Sequence, residues 1–177
     1  MINELSVHAT QSNKNASRVC YASLLSAALC VIVCFFIDKY QALISVGALV
    51  FVTVAILMYT RYMAVSYLYD IFLDAENNPM FLVRSRTGRR ETTLLRLDLY
   101  AITGLKRLNQ SELKSYKCDT GVLKYNYCPT LFPSSAVLMT VRSHYEKADV
   151  FIEVTDEFME YLSSIAKEAR DNYNTEE

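Results

Sequence analysis

Two apolar runs near the start of the chain constrain its fold more than any other feature. They extend over Val19–Ile37 and Ala42–Tyr59, neither contains a charged residue, and only the four residues Asp38–Gln41 separate them. A helix needs about 17–25 mostly apolar residues to cross the hydrocarbon core of a membrane. Because so short a connection cannot cross back, we predict two antiparallel membrane helices, with spans of about 19–37 and 42–62 within a hairpin of residues 18–65.

Lysine and arginine residues near the helix ends predict how this hairpin is oriented. Lys14 and Arg18 precede the first run, and Arg61 follows the second, with the basic segment Arg84–Arg90 soon after. The connection between the runs holds a single lysine, Lys39. Positively charged residues stay on the cytoplasmic side of a membrane helix. We therefore expect a multi-pass protein of the cell (inner) membrane, with both ends of this chain in the cytoplasm.

Small side chains predict where the two helices touch. The first run places Ala22, Ser23, Ser26 and Ala27 close together on a helix surface, and Gly47 could offer the matching surface on the second run. Such strips allow helices to approach closely, either within the hairpin or against another membrane subunit. Neither run contains Asp, Glu, Lys, Arg or His, which argues against a proton relay or ion pathway.

The remainder of the chain is predicted as one domain with short tails. Residues 1–17 are polar and are expected to be a flexible tail, and the same expectation of disorder applies to residues 172–177. Between them, residues 66–171 contain segments of strand length separated by turn-forming residues. These segments predict seven strands, at 67–74, 80–86, 91–97, 104–109, 122–127, 136–142 and 148–154.

One amphipathic helix is predicted after the last strand. Thr155 and Asp156 are residue types that cap the start of a helix. Four apolar residues then follow one another at intervals of four, three and four positions, namely Phe158, Leu162, Ile165 and Ala169. This spacing places them on one face of the helix. We expect that face to pack on the sheet, since the opposite side is acidic.

Seven short strands followed by a capped helix resemble the pleckstrin-homology (PH) fold. Leu94–Leu105 resembles the bacterial PH-like pattern in which a strand leads through a short turn to the next strand, and Val150–Phe158 resembles the last strand and the start of the closing helix. A two-helix hairpin with a cytoplasmic PH-like domain also occurs in small bacterial membrane proteins. The resemblance implies a mainly-β (α+β) domain over residues 66–171, in which about seven antiparallel strands form a bent sheet or partial barrel closed by the C-terminal helix.

Charge is distributed unevenly along this domain. Arg84–Arg107 contains seven basic and two acidic residues, whereas the segment from His144 onward contains three basic and ten acidic residues. Lipid-reading members of the resembled family hold anionic headgroups with basic residues on a hairpin. The matching positions here are Arg84, Arg86, Arg89 and Arg90, which could contact anionic lipid, contact a protein, or simply be solvated.

Other functional classes find little support in the sequence. The motifs GxSxG, HExxH, GxxxxGK[ST] and GxGxxG do not occur, and the five cysteines show no metal-binding spacing. We therefore expect no enzyme activity, no metal or other cofactor and no small-molecule substrate, and the cysteines are expected to be free thiols. Residues 61–177 contain 15 basic and 17 acidic residues with no sustained basic face, which argues against nucleic-acid binding.

Three functional hypotheses remain. The leading one is a non-enzymatic membrane-anchored adaptor that binds a protein partner, or a second copy of itself, at the membrane face. Its contact would be a groove beside an exposed strand edge or the surface with Tyr125, Tyr127 and Phe132; the stretch 125–129 itself matches no known chemistry. The alternative is a reader of anionic lipid headgroups at the inner leaflet. The third is a membrane immunity or stress protein that acts through its hairpin.

Overall fold

The computed structural model describes residues 5–8, 14–74, 78–142 and 146–176. The chain forms two compact units. One is helical and comprises Gln11–Val65, and the other is rich in strands and combines Met1–Thr10 with Ser66–Glu177.

The helical unit is an antiparallel pair of apolar helices. Helix α1 (Lys14–Cys34) is followed by a short 3-10 turn and by α2 (Gln41–Met58), which continues as a π-helical turn over Tyr59–Met63. The Cys20 Sγ lies 3.6 Å from the Ala55 carbonyl oxygen, near the opposite ends of the two elements. Both helices are long and apolar enough to cross a membrane. Only 17% of the most apolar stretch of the first helix, and 11% of that of the second, is buried. A core helix of a soluble protein would be mostly buried instead.

The first helix differs from the predicted span at both ends. It begins at Lys14, five residues before the apolar run, and ends at Cys34. The chain then turns, because the Phe35 and Phe36 amides donate to the carbonyl oxygens of Ile32 and Val33, three residues back, at 3.1 and 3.0 Å. Such tighter bonds close the last turn of a helix.

Part of the predicted packing strip is buried. The buried residues of α1 recur at helical spacing on one stripe, namely Ala16, Cys20, Ser23 and Ala27. Of the other predicted residues, Ser26 is half-buried, whereas Ala22 is exposed because it lies about 100° around the helix from Ser23. In α2 the buried residues are Ala48 and Ala55, and Gly47 is half-buried, with nothing within 4 Å of where its Cβ would lie.

Two four-stranded sheets and two helices form the strand-rich unit. The first sheet has the order β1-β2-β3-β4, with strands Leu5–His8, Val65–Leu73, Pro79–Thr87 and Arg90–Asp98. The second has the order β5-β7-β8-β6, with β5 at Ile102–Asn109, β6 at Leu123–Asn126, β7 at Ser135–Arg142 and β8 at Lys147–Ile152. Helix α3 (Gln110–Ser115) follows β5, and α4 (Asp156–Glu176) closes the chain. The predicted order of apolar helices, sheet-rich region and C-terminal helix is therefore confirmed.

Three features differ from the prediction. Strand β1 lies in the segment predicted as a flexible tail and pairs antiparallel with β2, from Leu5 opposite Ile71 to His8 opposite Leu68. Helix α4 continues through the segment predicted as disordered, where the rings of Tyr173 and Tyr100 stack with centroids 4.5 Å apart. Strand β6 runs parallel to β8, not antiparallel. Each depends on a partner that is distant in the sequence, so local composition does not show it.

The core contains buried side chains from both sheets and from α4. The fully buried side chains include Phe81 and Val83 from the first sheet and Met139 and Ile152 from the second. The predicted apolar face of α4 is buried as expected, with Phe158, Leu162, Ile165 and Ala169 all at 9% exposure or less. Thr155 begins this helix, since its Oγ1 accepts a hydrogen bond from the Phe158 amide at 3.4 Å.

Candidate partner-binding cleft

Helix α3 begins at a capping box and forms one wall of a surface cleft. The Asn109 Oδ1 accepts a hydrogen bond from the Glu112 amide at 3.0 Å, and the Glu112 Oε2 accepts one from the Asn109 amide at 2.8 Å. Two main-chain donors that a helix start leaves unpaired are thereby satisfied. No element was predicted between the strands at 104–109 and 122–127, although the spacing of Asn109 and Glu112 was the available signal for a helix.

A small apolar cluster forms the floor of the cleft on one face of the second sheet. Its buried members are Leu108, Cys128, Ala136, Leu138 and Phe151, and the side chains of Leu113 and Tyr116 pack against them. Both faces of β7 and β8 are buried here, because Val137, Met139, Val150 and Ile152 are at 0% exposure on the opposite face. The cleft therefore lies on a rigid support, between α3, β6 and the loop of residues 127–134.

The cleft has a volume of ≈ 170 Å³. Its apolar lining comes from Leu113, Cys128, Leu131, Phe132, Pro133 and Phe151, and its polar lining from Gln110, Lys114, Lys124 and Asn126. Neither Lys114 nor Lys124 forms an ion pair among the residues that the structure describes. The cleft thus combines an apolar floor with two lysines, and Asp149, the residue opposite Lys124 on β8, accepts its hydrogen bond from the Tyr116 hydroxyl instead.

Lys124 lies over two aromatic rings at the edge of the cleft. Its Nζ is 4.9 Å from the ring centroid of Phe151 and 5.5 Å from that of Tyr116. A cation near an aromatic face is attracted by the ring quadrupole, and at an exposed site this contributes about 0.5–1 kcal/mol. These contacts orient the Lys124 ammonium and leave its charge available to an anion.

A buried carboxylate holds Tyr116 in this position. The Tyr116 hydroxyl donates a short hydrogen bond to the Asp149 Oδ2, and the Cys118 Sγ lies 3.5 Å from the same oxygen. Burial, followed by the neighbouring Asp149, raises the pKa of both Tyr116 and Cys118. Both side chains therefore stay protonated at neutral pH and act as donors to the carboxylate.

The loop of residues 127–134 is fastened to both sheets. The Tyr69 hydroxyl donates to the Tyr127 carbonyl oxygen at 2.9 Å and accepts from the Glu153 amide at 3.3 Å. The Thr130 Oγ1 donates to the Glu153 Oε2 at 2.6 Å. The Cys128 amide is bound in addition by the Asn126 Oδ1 at 3.0 Å. This assigns a structural role to the stretch 125–129, which the sequence alone left without one.

Two of the three predicted aromatic contact residues lie away from the cleft. Phe132 lines the cleft and is 56% exposed. The ring of Tyr125, on the opposite face of β6, stacks on Tyr127, which in turn meets Tyr67 edge to face, each pair with centroids 6.3 Å apart. Tyr125 and Tyr127 thus form an aromatic row that links the two sheets.

Cys128 lies in the cleft floor but is not set up as a nucleophile. Burial, together with the nearby Glu153 charge, raises the pKa of its thiol to about 12. A thiolate, not a thiol, is the reactive species. Cys128 is therefore a neutral packing group at physiological pH.

The predicted basic hairpin is partly neutralised. The Arg84 Nε lies 2.5 Å from the buried Asp70 Oδ2, while Glu91 lies 3.4 Å from Arg84 and 4.0 Å from Arg86. Arg89 and Arg90, at the exposed turn between β3 and β4, form no ion pair within the described parts of the chain. The four arginines therefore do not form one basic surface, and only the two at the turn remain available.

Comparisons of this chain with family models, with curated proteins and with solved structures found no match.

Proposed function

We propose that this chain is a non-enzymatic membrane-anchored adaptor whose strand-rich unit binds a protein partner at the cleft between α3, β6 and residues 127–134. The observation that carries the proposal is the lining of that cleft. An apolar floor, the exposed ring of Phe132 and two lysines that form no ion pair with the described residues occur together on a buried part of the sheet. Protein interfaces use such pockets to hold a few anchoring side chains.

The size of the cleft favours a protein over a small molecule. Pockets for cofactors and drug-sized ligands have volumes of roughly 300–1,000 Å³. This cleft, at ≈ 170 Å³, is well below that range. It has room for one anchoring side chain with its neighbouring main chain, and the rest of a protein partner would cover the surrounding surface.

The helical unit is the proposed anchor. Its two helices are apolar and exposed over most of their surface, as membrane helices are where they face lipid. Lys14, Arg18 and Arg61 flank them on one side, whereas the connection carries only Lys39. By the positive-inside rule, both flanks would lie in the cytoplasm, and the strand-rich unit would act at the inner face of the cell membrane.

We also propose that the strand-rich unit is related to PH-like domains. In its support, two sheets precede a C-terminal helix whose apolar face is buried. The parallel β6, the helix α3 and the additional strand β1 are departures from the predicted pattern of seven antiparallel strands and one helix. The cleft lies between two of these departures, α3 and β6, so the function proposed for it does not depend on the relationship.

Site-specific photo-crosslinking tests the adaptor proposal. A photoreactive phenylalanine analogue is placed at Phe132 in the full-length protein in its native host, and at Leu94 as a control, since Leu94 is also exposed but lies on β4. We expect a defined crosslinked protein from position 132 only, and its yield should fall when Lys114 and Lys124 are changed to glutamate. No product from position 132, or equal products from both positions, would refute the proposal.

A second function, the reading of anionic lipid headgroups, is favoured by Arg89 and Arg90 alone. Both side chains are exposed and form no ion pair in the described parts of the chain, which fits a contact with phosphate, a group that arginine binds well. Arg84 is committed to Asp70 and does not contribute. Arg89 and Arg90 do not line the cleft. The two functions are therefore tested by different variants.

A further inference from the structure

The outer edge of the second sheet lies beside the cleft. Strand β6 is at the end of the strand order, and all four of its residues are exposed. An edge strand leaves main-chain N–H and C=O groups without sheet partners, and an extended segment of another protein can pair with them.

The pairing of β6 with β8 decides which main-chain groups face outward. The Tyr127 amide donates to the Phe151 carbonyl oxygen at 2.9 Å, which continues the parallel ladder. In a parallel strand the hydrogen-bonding groups of successive residues point alternately to the two sides. Because Tyr125 and Tyr127 face β8, the N–H and C=O of Lys124 face away from it, toward the edge where the described residues place no further strand.

Side-chain alternation divides β6 into two chemically different faces. Lys124 and Asn126 point into the cleft. Leu123 and Tyr125 lie on the opposite face, where they are 46% and 37% exposed. In a strand added to β6, every second side chain would therefore face Lys124. The remaining side chains would face the apolar surface formed by Leu123 and Tyr125.

On these grounds we propose that an extended segment of a partner protein occupies the cleft and adds to β6 as a further strand. Acidic and apolar residues alternate along this segment. Its carboxylates contact Lys114 and Lys124, and its apolar side chains cover Leu123 and Tyr125. The inference rests on the proposed adaptor function and specifies the chemistry of the partner. Charge complementarity commits the cleft to an acidic segment, since the charged residues of its described lining are Lys114 and Lys124, and the neighbouring Asp149 is already bound by Tyr116.

The test uses the full-length protein in phosphatidylcholine nanodiscs, because the strand-rich unit includes β1 from before the helices. The probe is a short fluorescent peptide in which glutamate alternates with valine, and binding is followed by fluorescence anisotropy. A second peptide has the same composition with the glutamates and valines in separate blocks. We expect the alternating peptide to bind at least about tenfold more tightly than the block peptide, because only it places both residue types correctly.

Charge variants locate the site. Lys114→Glu and Lys124→Glu should each weaken binding of the alternating peptide by about tenfold or more. Lys167→Glu is the matched control, since Lys167 is exposed on α4 and does not line the cleft. Hydrogen exchange supplies the structural readout: the amide of Lys124 should exchange more slowly when the peptide is bound.

Four results would overturn strand addition. The two peptides could bind equally, the Lys124 amide could keep its exchange rate, or glycerol 3-phosphate at millimolar concentration could displace the peptide and so identify a headgroup site. A failure of both peptides to bind would also overturn the inference. The crosslink from Phe132 reports on the adaptor function independently, so the two proposals can fail separately.

Discussion

The hydroxyl group of Tyr69 donates a hydrogen bond to the carbonyl oxygen of Tyr127, 58 residues later in the chain, at 2.9 Å. The same hydroxyl accepts a hydrogen bond from the Glu153 amide, so one buried side chain of β2 holds both the end of β8 and the loop that borders the cleft. Burial raises the pKa of this phenol, and it remains a neutral donor at all physiological pH values.

Removing this hydroxyl should loosen the loop. Tyr69→Phe keeps the ring that stacks near Phe81 but leaves the Tyr127 carbonyl and the Glu153 amide without their shared partner. Unpaired buried polar groups cost about 1–3 kcal/mol. We expect the free energy of unfolding to fall by that amount, measured by denaturation followed by circular dichroism. Tyr125→Phe is the control, because Tyr125 is exposed, and an equal loss in both variants would contradict the assignment.

The capping box of α3 should control the position of Lys114. Asn109→Ala removes the side chain that binds the Glu112 amide, which typically costs about 1 kcal/mol. Because α3 has only six residues, we expect its amides to exchange faster with solvent and partner binding at the cleft to weaken. Asn109→Asp should preserve both properties, since aspartate caps equally well. Hydrogen exchange of residues 110–115 provides the measurement.

The buried thiol of Cys128 should make the protein sensitive to alkaline pH. Its pKa is about 12 in the folded protein, against a reference value of 9.0. Because the folded protein holds the thiol proton more tightly than the unfolded chain does, this group contributes to the free energy of unfolding at pH values below about 9. That contribution is lost as the pH rises from about 9 to about 12. Within that range the loss approaches about 1.4 kcal/mol per pH unit. The free energy of unfolding of Cys128→Ala should therefore fall less steeply with pH than that of the wild type. Identical slopes would show that the Cys128 thiol titrates normally.

The exposed turn arginines test lipid reading. The double variant Arg89→Glu/Arg90→Glu should unfold like the wild type, because neither side chain is buried or paired in the described structure. If the turn binds headgroups, native mass spectrometry from mixed micelles should detect less retained phosphatidylglycerol in this variant. Lys147→Glu/Lys167→Glu makes the same change in net charge at exposed positions elsewhere. Equal lipid retention in the two variants would exclude the turn as the lipid contact.

Several elements of the fold could be predicted because their signals are local. The two apolar runs specify helices by length and composition alone. The turn with Gly88, which has φ +60°, joins β3 to β4 where the sequence predicts it, with Thr87 opposite Arg90. The apolar spacing after Thr155 likewise marks the buried face of α4.

The candidate site was predicted only in part. Phe132 was singled out as an exposed aromatic residue, but neither Lys114 nor Lys124 stands out, since isolated lysines are usually solvated. Of the basic hairpin, Arg84 is occupied by Asp70, a residue 14 positions earlier whose burial the sequence does not show. The cleft depends on the parallel placement of β6. That placement in turn follows from the path of residues 110–122.

The amino-acid sequence by itself determined the helical hairpin, the strand-length segments and the capped final helix, because hydrophobic length, side-chain periodicity and helix caps all lie within a few consecutive residues. The tertiary structure alone decided that Leu5–His8 joins the first sheet, that β6 pairs with β8 and that Lys114 and Lys124 border one cleft. These features depend on contacts between segments such as Tyr69 and Glu153, 84 residues apart. Such contacts form only when strands from distant parts of the chain satisfy each other's hydrogen bonds and bury a shared core.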